Sequence, residues 1–107
     1  SSVTKTKLFE ILGFGNWENG RNDDEMHRKK ALKENMELQT KDATVDVYDN
    51  HAIHIAENVR LIVSSRCSKD KAMRERVANH IAKHNELLSL AKGVERMQKQ
   101  FDEEKTI

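Results

Sequence analysis

Apolar residues recur at helical spacing along most of this chain. The clearest run is DNHAIHIAENVRLIVSS, residues 49–65, where Ala52, Ile55, Ala56, Val59, Ile62 and Val63 share one side of a 3.6-residue period. Asp49 and Asn50 stand just ahead of it and offer side-chain oxygens to cap a helix. A second run, residues 69–104, carries Met73, Val77, Ile81, Leu87, Leu88 and Ala91, then Val94, Met97 and Phe101 beyond Gly93. It predicts one long helix, or one bent at Gly93, with Ser68 as its cap. Residues 21–40 predict a helix through Met26, Leu32, Met36 and Leu38, opened by a capping box from Asn22 to Glu25. Residues 1–20 predict a short leading helix over 4–12, stopped at Gly13, and a loop anchored by Phe14 and Trp17. Residues 45–48 alternate, which predicts at most one short extended segment. Residues 1–107 therefore read as a single small all-α domain of about four helices. Its expected core places Ile55, Val59 and Ile62 against Ile81 and Leu88, so that Ile55→Ala should cost roughly 2–5 kcal/mol.

Composition sharpens this picture. The chain has 107 residues, no proline and 4 glycines, so little interrupts long helices. Hydrophobic residues make up 36% and charged residues 35%, which leaves a thin core under a charged surface. The net charge of +1, with signs interspersed, argues against a stand-alone nucleic-acid binder. The basic run His27–Lys30 reads as a solvated helix face. A single cysteine, Cys67, excludes an internal disulfide and reads as a helix-flank thiol. No apolar run reaches the roughly 20 residues that span a bilayer. Starting at Ser1 without methionine, the chain is expected to be a piece of a longer protein.

Four histidines form the most specific chemical pattern. His51 and His54 are three apart, and His80 and His84 are four apart, so each pair shares a helix face. Across an antiparallel hairpin the early part of one helix meets the late part of the next, which permits the pairs to touch without requiring it. The favoured reading is packed, hydrogen-bonded, neutral imidazoles that lose stability as pH falls from about 6.5 to 5. A His-rich zinc-binding helical domain is a further alternative. Between His80 and His84 stand Ile81, Ala82 and Lys83, so no HExxH glutamate is present. No phosphate loop or nucleophile elbow appears, and the carboxylates read as scattered over charged faces. The expectation is no catalytic residue, no cofactor and no metal ligand. The structural motif comprises Asp49, Asn50, His51, His54, His80 and His84, together with Asn35, which is placed to hydrogen-bond a neighbouring segment.

The order LFEILGFGNWENG, DDEMHRKKALKENMEL, VDVYDNHAIHI, HIAKHNELL resembles the C-terminal region of bacteriophage portal proteins, of the kind found in phages and prophages of Gram-positive bacteria. The resemblance covers about residues 8–92. It is most specific at KALKEN (30–35) and DNHAIHI (49–55), supported by HIAKH (80–84). Where such relatives often carry a further histidine, this chain has Asn58. The resemblance implies a non-enzymatic structural part of a ring, usually of twelve subunits, at one capsid vertex. Double-stranded DNA passes through that ring without sequence specificity. Terminase and head-completion proteins dock elsewhere on it. The implied place is the crown-side helical region, in the virion and, during assembly, in the host cytoplasm, with no membrane partner. A stand-alone helical module that binds a partner helix through the stripe from Val77 to Phe101 is the alternative.

Overall fold

The computed structural model describes residues 20–105. The leading helix, the Gly13 stop and the Phe14 and Trp17 anchors expected from the sequence lie outside that range. Four helices follow one another: α1 (Gly20–Leu38), α2 (His51–Ile62), α3 (Ser65–Ser68) and α4 (Lys71–Lys105). No strand occurs among the described residues, and the fold is all-α. Helix α2 lies between α1 and α4 and packs on both. The 35 residues of α4 give a rod of about 52 Å, which sets the 57 Å long axis.

Local chemistry explains the ends. Asn50 caps α2, its side-chain oxygen accepting from the Ile53 amide at 3.1 Å. Residues 45–48 form no extended segment. Asp46 and Asp49 fold them into a turn: Asp46 Oδ1 accepts from the Tyr48 amide at 3.0 Å, and Asp49 Oδ2 from the Asp46 amide at 3.1 Å. Ser64 caps the single turn α3, and Asp70, not Ser68, caps α4 by accepting from the Met73 amide at 3.0 Å. The start of α1 at Gly20 puts the expected capping box inside the helix. The far end of α1 is closed by Arg76 of α4, whose Nε and Nη2 donate to the Leu38 and Gln39 carbonyls at 2.9 and 2.8 Å. Those carbonyls have no partner within their own helix. Arg76→Met is expected to lower stability by about 2 kcal/mol in a denaturant melt, since two hydrogen bonds from a charged donor are lost.

Helix α4 runs through Gly93 without a break. A methyl group there would meet only Arg96 Nη2, at 3.9 Å, an ordinary contact. Gly93→Ala is therefore expected to stabilise the protein by up to about 1 kcal/mol, read as a higher melting temperature.

The core differs from the expected one. Leu38, Cys67, Met73 and Val77 form the buried apolar cluster, with Ala43, Leu61, Ile62 and Ile81 packed around it. The side of α2 that faces inward carries His51, His54, Glu57 and Asn58. Much of its apolar stripe is turned outward: Val59 is 41% and Val63 74% exposed, and Ile55 is only half-buried. Leu88 is likewise half-buried. The expected core is thus corrected at Ile55 and Val59, while Ile62 and Ile81 do pack against the buried cluster, and Ile55→Ala should cost less than the roughly 2–5 kcal/mol of a full core truncation. On α4, Met73, Val77, His80, His84 and Leu87 are buried as their spacing suggests, but Met97 and Phe101 are exposed and Gln98 is buried instead. Burying a polar face is tolerable only where its groups satisfy one another.

Candidate functional site: a buried histidine–carboxylate cluster

Three elements build this polar layer. Helix α1 contributes Glu34 and Asn35, which sit between buried Ala31 and Leu38 on its inward side. The turn before α2 and its first turns contribute Asp49, His51 and His54, with Asn58 one turn further on. Helix α4 contributes His80 and His84. His54, Asn58 and His84 are 0% exposed.

The two histidine pairs meet. His51 Nδ1 lies 2.8 Å from His84 Nδ1, and His84 Nε2 lies 3.2 Å from His80 Nε2. His54 stacks beside His84, ring centroids 4.8 Å apart. His54 Nδ1 is 3.0 Å from Glu34 Oε2, and His80 Nε2 is 3.4 Å from the same oxygen. Asn35 donates to the Glu57 carbonyl at 3.0 Å and accepts from Asn58 Nδ2 at 2.7 Å. Asn50 serves only as the cap, its own amide donating to His27 Nδ1 at 3.2 Å.

Proton positions follow from these partners. The Ala43 carbonyl, 3.1 Å from His80 Nδ1, only accepts, so His80 carries a proton there. Its other nitrogen, Nε2, lies between His84 Nε2 and Glu34 Oε2, at 3.2 and 3.4 Å. The Glu34 carboxylate fixes the His54 proton on Nδ1 in the same way. Two ring nitrogens of the layer remain, His51 Nε2 and His54 Nε2. Both atoms are buried without a hydrogen-bond partner. His54 Nε2 lies 3.6 Å from Asp49 Oδ1.

Electrostatics follow the packing. Burial pushes the Glu34 carboxyl upward, but hydrogen bonds and charge from His54 and His80 outweigh it and hold it down at about 2. Burial, reinforced by neighbouring imidazoles, drives His84 down to about 3. His51 is also lowered, chiefly by burial, against the pull of Asp49. Lys30 loses hydration, yet Asp49, 2.5 Å from its ammonium, raises it above the ordinary lysine value.

The sequence pattern marks the histidines, Asn35 and Asp49, the last as a helix cap, and places the other carboxylates on charged faces. Glu34, Asp49 and Glu57 are all buried, at 8%, 5% and 5% exposure. The His27–Lys30 run is not simply a solvated face either, since His27 meets the Asn50 amide, Arg28 reaches Glu57 at 3.7 Å and Lys30 reaches Asp49. The available signal was position: Glu34 is three residues past Ala31 and four before Leu38, on one helical side. No metal ligand was expected, whereas Glu34, Asp49, His54 and His84 each present one donor atom, all within 4.8 Å of one another. Cys67 is fully buried in the apolar cluster, where burial raises its thiol, so it takes no part. No protein family, no curated protein and no solved structure matches this chain.

Proposed function

We propose that this chain is a structural, non-enzymatic helical part of a phage portal ring, on its crown side. The observation that supports the reading is a coincidence of residues. KALKEN supplies Glu34 and Asn35, DNHAIHI supplies Asp49, His51 and His54, and HIAKH supplies His80 and His84. Those three stretches carry the resemblance, and they also build the buried polar layer. A network whose polar atoms are mostly engaged with one another suits a scaffold better than a site that must turn over substrate. Outward-facing Met36, Tyr48 and Val63, at 71%, 60% and 74% exposure, suit packing against the rest of a longer chain or the next subunit. Ring contacts, double-stranded DNA in the channel, docking of terminase and head-completion proteins, and a place in the virion belong to the same proposal.

The test is assembly of the parent open reading frame. Rings with a central channel in negative-stain electron microscopy support the proposal; a parent chain that stays monomeric and lacks upstream wing and stem segments overturns it. The 107-residue chain alone is expected to be a monomer or weak oligomer by light scattering, because the resemblance puts most ring contacts outside it. The alternative, a stand-alone module for a partner helix, draws on Leu90, Met97 and Phe101, which are exposed on the far half of α4.

A further inference from the structure

We propose that Glu34, Asp49, His54 and His84 bind one divalent transition-metal ion of the zinc class. This goes beyond the portal reading and does not depend on it. Four donors from three separate elements converge in the protein interior, within 4.8 Å of one another. His54 supplies the independent sign of a ligand. Its Nε2 atom is fully buried with no hydrogen-bond partner, while Glu34 holds the other ring nitrogen. That carboxylate fixes the His54 tautomer, and to ligate the ion Glu34 gives up this hydrogen bond. Its 3.6 Å separation from Asp49 Oδ1 is close to the roughly 3.4 Å between two ligands on tetrahedral zinc with bonds of about 2.0–2.1 Å.

Charge and donor type narrow the ion. Two ionised carboxylates and two neutral imidazoles carry two negative charges, which a dication neutralises in a setting where unbalanced charge is costly. Imidazole nitrogens disfavour calcium and magnesium, which take oxygen ligands. The present countercharge is Lys30, whose ammonium sits on Asp49 Oδ1 from a side chain 43% exposed. It is a competitor with a route to solvent, and ion binding releases it. His84 has ring partners on both nitrogens, so binding removes one contact and leaves the other, to His51 or His80, to orient the ring.

The experiment uses the full chain, stripped with EDTA and titrated with cobalt(II) and then zinc(II). One cobalt per chain is expected, with visible d–d absorption that one equivalent of zinc abolishes, and zinc should raise the melting temperature. Asp49→Asn and His54→Gln should each weaken zinc binding at least about tenfold in calorimetry. Lys30→Met should tighten it by freeing Asp49, and His27→Gln, outside the ligand set, should leave it unchanged. Far-UV circular dichroism shows which variants fold. If the ligand variants do not, the wild-type stoichiometry and the Lys30→Met gain decide. Absence of one-to-one cobalt uptake overturns the proposal, as does uptake that a folded His54→Gln variant retains in full.

Discussion

Replacing Glu34 with alanine in the metal-free protein is expected to lower the unfolding free energy by about 2–3 kcal/mol, the range for losing a hydrogen bond to a charged group and leaving its buried donor unsatisfied. Glu34 is the junction of the polar layer, since one oxygen faces both His54 and His80. Without it the His54 Nδ1 proton points at nothing, and a cavity opens beside Asn35 and Ala31. The control is Val59→Ala on the outward side of α2, where 41% exposure implies a small loss, within about 0.5–1 kcal/mol. Urea denaturation of both variants gives the comparison. Equal losses would mean that the buried face of α2 had been assigned the wrong way round.

Acidification should have the second large effect. His84 is held at about 3 in the folded chain, against an ordinary value of 6.5. A depressed histidine binds fewer protons folded than unfolded, so its contribution is fully present above the unfolded value and drains away as pH falls towards the folded one. Glu34, lowered to about 2 from 4.5, acts in the same direction at lower pH. The metal-free protein should therefore lose stability steadily below pH 6.5. His84 alone accounts for about 2 kcal/mol by pH 5, at 1.36 kcal/mol per unit once the unfolded ring is protonated. His51, also lowered, adds to the loss. His84→Gln should flatten the slope of stability against pH in EDTA-containing buffer. A slope equal to that of the wild type would remove His84 from the buried layer.

Much of the helical plan was legible because its signals are local. Asn50 ahead of a periodic run, the absence of proline and the long stripe after residue 69 act over a few residues each. The inner face of α2 was not legible from apolar spacing. Ile55, Val59 and Val63 define a clear stripe, yet Val59 and Val63 point outward and Ile55 is only half-buried. Pattern arguments assume that burial follows hydrophobicity, an assumption that fails when polar side chains satisfy one another, as Asn35 with Asn58 and Glu34 with His54 do here. The histidine pairs were visible as spacings of three and four. Asp49 was marked as a capping oxygen, but Glu34 was not visible, because a carboxylate in a charged chain looks the same whether it faces water or an imidazole.

The polar layer also indexes the helices. Apolar neighbours alone tolerate sliding, since leucine, valine and methionine can trade pockets at modest cost. A slip of α2 by one turn, about 5.4 Å, would break the His51–His84, His54–Glu34 and Asn58–Asn35 contacts together. Each contact comes from a different turn of α2, so no shifted alignment restores all three. The same residues that make the interior costly to bury thus give this small bundle a single setting, as the teeth of a key admit one depth in a lock.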